Sequence, residues 1–323
     1  MHESQTRLQV LSTAIPTEAD AAAIAYEFCG TEPARVHRFA TGLGHWVYDV
    51  LMTNGASFVV RLAKTEQRDD FLGAVHWSNT LRPIGVPLPA MLARGEFRDF
   101  PYLILERFAG DDLGNVYGRL TSAQRKRIAS EVCRIQGRVG TLPEGPGFGH
   151  VRLPAGPYQP SWSAVIDASL ARSRSRMEAA SAVSLRAADR VTEYAGRFSP
   201  YFASIRPTPF LDDTTTKNVI VHEGRLSGIV DVDWLCFGDP LFTVALTRTA
   251  LLSADQDLEY TDHWCRLLQL SPDQTRVLHF YSALFCVDFL SDFGQRFNRE
   301  VVEVDSKRLA LLEKILDDEL SEV

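Results

Sequence analysis

Asp213, Asn218 and Asp231 stand in one stretch, Phe210–Pro240, FLDDTTTKNVIVHEGRLSGIVDVDWLCFGDP, at spacings that gather them around a single divalent cation. The runs KNVIVH and RLSGIVD flank Glu223-Gly224, a pair suited to a tight hairpin turn. Pairing His222 with Arg225 sets Asn218 opposite Ile229. Asp231 then falls on the same face as Asn218, a diagonal neighbour roughly 7–8 Å away. Val219, Val221, Leu226, Gly228 and Val230 form the opposite, packing face. Oxygen ligands without thiolate or imidazole suit Mg²⁺, which takes few protein groups and fills its shell from phosphate and water. Asp213, five residues before Asn218 in a threonine-rich turn, brings a carboxylate beside that cation. An Asp, an Asn at the fifth position after it and an Asp closing the next strand are the equipment of metal-assisted phosphoryl transfer.

Further candidates lie upstream. Gly42 and Gly44 sit at a turn between two strands, where glycine lets backbone N–H groups approach phosphate oxygens. Arg61 closes the strand VVRL and offers a permanently charged, bidentate phosphate donor. The acid expected to pair with it is on the following helix: Glu66, Asp69 or Asp70, with Asp70 favoured because it lies deeper in that helix. The run YLILERF brings Glu106 to the end of a buried strand.

The elements that must position these groups follow from pattern. Thr17 caps a helix through Cys29; strands are predicted at 35–41, 46–53 and 56–62, the last two joined by Asn54-Gly55. A helix at 66–82 ends before Pro83, and strands follow at 89–94 and 101–107. Helical patterns then dominate at 121–141, 161–178, 183–200, 240–253, 255–268, 273–297 and 303–321. The Pro/Gly-rich stretch from Leu142 to Pro160 reads as a loop. A net charge of −7 with no long Lys/Arg run argues against a nucleic-acid partner. Five cysteines without a CxxC pair read as small buried groups in a reducing compartment. The start MHESQTRLQV has no secretory pattern, and no apolar run is long enough to span a bilayer, so the expectation is a cytoplasmic protein without a membrane partner. Nothing in the sequence sets an oligomeric state.

The Phe210–Pro240 stretch with its trailing Gly238-Asp239-Pro240 resembles the aminoglycoside phosphotransferase and choline kinase superfamily. So do TGLGHWVYDVLMTNGASFVVRL, similar to that family's phosphate loop and first strands, and VPLPAMLARGEFRDFPYLILERFAGDDL, similar to its fourth and fifth strands and inter-lobe linker. The likeness runs over residues 35–255 in the family's order. It implies an α+β, bilobal protein-kinase-like fold: a five-stranded antiparallel nucleotide-binding lobe at 1–107 and a helical lobe with catalytic loop and acceptor pocket at 108–323. It further implies Asp213 as catalytic base, Asn218 and Asp231 as Mg²⁺ ligands, and Gly42, Gly44, Arg61, Asp70 and Glu106 at the nucleotide. ATP is the default nucleotide and GTP stays open.

The chain departs from the family where Leu211-Asp212-Asp213 replaces His-Gly-Asp, and Asp212 is a second candidate base. Lys217 is a candidate for neutralising phosphoryl charge; Asp233 and Asp239 are candidates for support around the site. Asp255, Asp257, Glu259, Asp262, Asp288 and Asp292, with Trp264, Tyr281, Phe285 and Phe289, are candidates for the acceptor wall. The expected partner is a small-molecule hydroxyl acceptor, first an aminoglycoside-like amino sugar, alternatively a choline- or homoserine-like metabolite. A catalytically silent binding protein of the same fold is the reading from another class. No Asp-Phe-Gly or Ala-Pro-Glu follows the ribbon, which speaks against a protein kinase.

Overall fold

Period-two alternation in the first third of the chain produces a sheet, and the structure, a computed structural model describing residues 15–39, 44–298 and 301–323, shows how it closes. Helix α1 (Glu18–Cys29) begins at Thr17 with a reciprocal cap, Thr17 Oγ1 accepting from Asp20 N and the Asp20 carboxylate from Thr17 N. Strands β1 (Pro33–Arg38), β2 (Trp46–Met52) and β3 (Ser57–Leu62) are followed by α2 (Arg68–Leu81), then β4 (Met91–Phe97) and β5 (Phe100–Glu106). The five strands form one antiparallel sheet in the order β1-β2-β3-β5-β4. Trp46, Tyr48, Val50 and Met52 alternate inward along β2 and pack with Phe58, Val60 and Leu62 under Ala21, Ile24 and Ala25 of α1. That leaves the other face of the sheet for the cleft.

The helical part carries α3 (Leu113–Val116), α4 (Ser122–Val139), α5 (Trp162–Ala180), α6 (Arg186–Ala195), α7 (Ser199–Ser204), α8 (Leu241–Ser253), α9 (Glu259–Leu268), α10 (Pro272–Ser291) and α11 (Ser306–Ser321). Short strands are threaded among them: β6 (Asp111–Asp112), β7 (Gly149–Val151), β8 (Thr208–Phe210), β9 (Val219–His222), β10 (Arg225–Ile229) and β11 (Leu235–Gly238). They make two three-stranded sheets, β10-β9-β6 and β7-β11-β8. Helix α10 is buried nearly all round, which explains an apolar pattern with no polar stripe; Phe280, Tyr281, Leu284 and Val287 join Trp162, Phe242 and Trp264 in the main core. A second cluster, with Trp77, Leu88, Ile135, Val151, Leu211, Ile229 and Leu235, lies beneath the cleft and joins α2, α4 and the short strands.

The expected five-stranded and helical lobes are both present, with differences in detail. The helix expected at 183–200 is broken into α6 and α7 by a 3₁₀ turn at Gly196–Phe198, and Pro200 enters at the start of α7, where its missing N–H costs nothing. The helix expected to reach residue 297 stops at Ser291, and Gly294 follows with φ 79°. The Leu142–Pro160 loop contains β7, too short for a periodicity signal. The β9–β10 hairpin pairs His222 with Arg225 as expected, but the register slips between Leu226 and Gly228. This bulge at Ser227 places Val219, not Asn218, opposite Ile229. Ile229 is therefore buried in the core and Val230 faces the cleft, the reverse of the expected phase. Among the described residues, no helix is long and apolar enough to cross a membrane.

Candidate active site

The loop of residues 211–218 runs between β8 and β9 and is fastened from below. Leu211, where the family resemblance leads one to expect His, is buried in the cluster under the cleft. Gln136 of α4 grips its backbone at both ends: Gln136 Nε2 donates to Leu211 O (2.7 Å) and Leu211 N donates to Gln136 Oε1 (3.0 Å). The same amide donates to Thr214 Oγ1 (3.1 Å), which contacts Thr243 Oγ1 of α8 at 3.1 Å. Asp212 meets a histidine from outside the loop, His150 Nε2 of β7 at 3.1 Å. Burial opposes the His150 charge, but Cys236 and Asp212 outweigh it and raise its pKa well above the ordinary value.

Asp213 is oriented by its own turn. Its Oδ1 accepts from Thr215 Oγ1 (2.6 Å) and Thr215 N (3.3 Å). Its Oδ2 faces Lys217 Nζ at 3.4 Å. The Asp213 charge raises the Lys217 pKa, with burial opposing and Asp231 adding to the rise, so the ammonium stays charged at neutral pH. Asn218 donates Nδ2 to Asp213 O (3.1 Å), which commits its nitrogen and leaves its oxygen available as an acceptor. Val230 N donates to Asn218 O (3.0 Å), so the residue before Asp231 is tied directly to Asn218. Asp231 itself takes φ 64°, a left-handed conformation uncommon for aspartate, and its side chain is half exposed. Burial would raise its carboxyl, but Arg61, His45 and Lys217 hold it below the usual range. An ionised carboxylate and an amide oxygen in one cavity are hard donors that fit Mg²⁺.

These groups open onto a cavity of about 640 Å³ between the sheet and the helical part. Asp212, Asp213, Lys217, Asn218 and Asp231 line it; Phe39, Val47, Leu105, Phe108, Ile220 and Val230 supply apolar wall, and Arg107, Asp111, Asp112 and Asn115 further polar wall. Gly44, Arg61, Asp70 and Glu106 line it as well, whereas Gly42 lies outside the described residues. Glu106 has both its N–H (to Ala90 O, 2.8 Å) and its carboxylate (from Ala90 N, 3.0 Å) committed to the start of β4.

The expected pairing of Arg61 with an acid of α2 is not what the structure shows. Arg61 donates Nη1 to Asp233 Oδ1 (2.7 Å) and Nη2 to Asp233 Oδ2 (2.5 Å) and Asp231 Oδ1 (2.7 Å). Asp70 is drawn elsewhere, to Arg152 Nη2 at 2.7 Å and His45 Nε2 at 3.5 Å. The cause is the seating of α2. A Cβ on Gly73 would lie 2.2 Å from Asp233 O and 2.7 Å from Arg152 Cγ, so only glycine lets the helix rest on that turn with Arg152 alongside. The residues not foreseen are thus His45, Gln136, His150 and Arg152. His45 carried a signal, standing next to Gly44 in the phosphate-loop segment; the other three act across sheets and helices and had none.

None of the ten residues considered for the acceptor wall lines this cavity. Trp264, Tyr281 and Phe285 are core residues, and Tyr281 donates to Asp239 Oδ2 (3.0 Å) beneath the Gly-Asp-Pro turn. Asp257 pairs with Arg125, Glu259 with Lys126, Asp262 with Arg248, and Asp288 and Asp292 with Arg176. Helical spacing could not reveal these cross-helix cations.

No curated protein sequence matches the chain. Solved structures do. An aminoglycoside phosphotransferase APH(4)-Ia in ternary complex with AMP-PNP and hygromycin B superposes with a TM-score of 0.66 at 17% identity, covering 94% of this chain and 98% of the other. The GDP complex of aminoglycoside 2'-phosphotransferase-IIIa gives 0.69 at 14% identity, with 94% and 99% coverage. The ADP-bound aminoglycoside phosphotransferase APH(2'')-Ib gives 0.62 at 13%, with 95% and 99% coverage. At these identities the likeness establishes the bilobal kinase-like fold. The model of the phosphotransferase enzyme family matches residues 35–280, well over half of the chain, and the protein therefore belongs to that family, as a small-molecule phosphotransferase of the aminoglycoside-kinase type.

Proposed function

We propose that this protein transfers the γ-phosphoryl group of ATP to a hydroxyl of a small molecule, with Mg²⁺ and with an amino sugar as the first acceptor to test. The observation that carries this reading is the convergence of Asp213, Lys217, Asn218 and Asp231 on one cavity, where Asn218 and Lys217 both contact Asp213 and apolar side chains of the sheet and hairpin also form part of the lining. Asp213 Oδ2 accepts the acceptor's proton, because Oδ1 is held by Thr215 and only Oδ2 is presented beside Lys217. Lys217 places a positive charge where the transferred group becomes electron-rich. Asn218 Oδ1 and Asp231 would hold the metal, which would supply charge neutralisation at the phosphates. Phe39, Val47, Leu105, Ile220 and Val230 take the base between the sheet and the hairpin. In this reading the nucleotide lobe ends at residue 107 and the helical lobe carries the acceptor. The bound nucleotides named for the APH(4)-Ia and 2'-phosphotransferase-IIIa structures support a nucleoside triphosphate donor and keep GTP as the alternative to ATP.

The test is thermal stabilisation by ATP and GTP, each with and without Mg²⁺, in wild type, Asp231→Ala and Asp213→Ala. A Mg²⁺-dependent rise in Tm that Asp231→Ala loses and Asp213→Ala retains is expected. Turnover with hydroxylated amines should then disappear in Asp213→Ala. Equal turnover in that variant would overturn the base assignment, and no shift with either nucleotide would favour a silent protein of the same fold.

A further inference from the structure

His45 Nδ1 and the carboxylates of Asp231 and Asp233 come within 4.8 Å of one another, a spacing suited to a shared cation. The cation they share is the guanidinium of Arg61. Its fork holds Asp233 in a bidentate pair (2.7 and 2.5 Å), Asp231 at 2.7 Å and His45 Nδ1 at 2.6 Å. The Arg61 and Asp233 side chains are each only 7% exposed. Both terminal nitrogens are thus committed within the protein. Arginine has only donors, so His45 Nδ1 is an acceptor here, which puts the ring proton on Nε2, toward Asp70.

Resting on the Mg-nucleotide reading above, we propose that Asp233 is the acid of the strand-three ion pair in this chain, and that Arg61 is a positioning residue for Asp231. Three observations support the assignment. A helix acid cannot fill that role, because Asp70 is engaged by Arg152, whose guanidinium also lies 4.5 Å from the centroid of the Trp234 ring. The seat of α2 on the Asp233 carbonyl at Gly73 fixes the separation between the two pairs. Asp233 is two residues after Asp231, so one guanidinium can span both carboxylates and set the left-handed turn between β10 and β11. Pairing Asp233 with Arg61 also removes a second carboxylate from competition for the metal, leaving Asp231 and Asn218 to hold it. Asp70 and Arg152 then form a second pair, linked to the Arg61 cluster through His45.

The test is a pair of double-mutant cycles, Arg61→Gln with Asp233→Asn and Arg61→Gln with Asp70→Asn. Two readouts are followed: Tm without nucleotide, and Kd for a fluorescent ATP analogue with and without Mg²⁺. Asp233→Asn should weaken Mg²⁺-dependent binding about tenfold and leave Mg²⁺-free binding nearly unchanged, and adding Arg61→Gln should cost little more. Asp233→Glu, which keeps the charge, should recover part of the loss. The coupling between Arg61 and Asp70, which meet only through His45, should be much smaller than that between Arg61 and Asp233. Independent effects at 61 and 233, with coupling at 61 and 70, would overturn the proposal, as would an unchanged Mg²⁺ dependence in Asp233→Asn. Should wild type bind no nucleotide, the functional reading fails; Arg61–Asp233 coupling in Tm would then leave only a structural pair, and the positioning role would be overturned with it.

Discussion

Replacing Gln136 with leucine should loosen the catalytic loop from behind without touching the cavity. The side chain is 7% exposed and makes three hydrogen bonds to the loop, two of them to the N–H and C=O of Leu211, itself 2% exposed. Leucine is similar in size but leaves both backbone groups without a partner in a dry environment. At about 1–3 kcal/mol for each of these two buried unsatisfied groups, the folded state should lose about 2–6 kcal/mol. If the loop moves to recover partners, Asp213 moves with it, and a displacement near 1 Å can cost on the order of 100-fold in turnover. Gln136→Glu keeps an acceptor for Leu211 N but cannot donate to Leu211 O, so it should fall between wild type and leucine. Urea unfolding gives the stability, and Mg·ATP hydrolysis with water as acceptor gives the rate. A leucine variant within about 0.5 kcal/mol of wild type and equally active would refute the argument. It would mean that the Thr214 contacts to Thr243 and Thr247 of α8 are sufficient to hold the loop.

Three further outcomes follow from the packing and charges. Burial, then the neighbouring Asp288 charge, raises the Asp292 pKa to about 6 against the opposing charges of Arg176, Arg308 and Lys217. The folded state therefore holds that proton more tightly than the unfolded chain, and stability falls as pH rises from near 4 to about 6; Asp292→Asn should remove this slope and add at most about 3 kcal/mol at pH 7, read from Tm against pH. A Cβ on Gly228 would lie 2.1 Å from the Phe108 ring, which lines the cavity, so Gly228→Ala should push the ring inward and raise nucleotide KM about tenfold, at a stability cost of about 1–3 kcal/mol. An unchanged KM would show that the ring swings outward instead. Glu319 is buried between Arg248 Nη2 (3.0 Å) and His279 Nδ1 (2.8 Å), and Glu319→Ala should lose about 3–5 kcal/mol by denaturant titration, with turnover per folded molecule unchanged.

Local signals were enough for the loop, the hairpin and the sheet. Asp213, Lys217 and Asn218 sit on one short loop, and Asp231 is tied to Asn218 through the adjoining hairpin, so chain spacing brought them to one cavity. The capped helix at Thr17 and the alternation of β2 were legible because caps and pleats act over two to four residues. The phase of β10 was not legible, because the Ser227 bulge answers to the fit of Gly228 against Phe108, a contact 120 residues away in the chain.

The same division separates the ion pairs. Sequence alone determined that a cation ends β3 and that acids follow it on α2 and around the turn after β10. Which acid the cation takes was decided by the tertiary structure, because several carboxylates of similar intrinsic affinity compete for one guanidinium and only their final distances rank them. Gly73 lets α2 settle on the Asp233 carbonyl, Arg152 then draws off Asp70, and Asp233 is left nearest to Arg61. The grips of Gln136 on Leu211 and of His150 on Asp212 arise likewise from elements distant in sequence, whose meeting depends on the assembled core beneath the cleft.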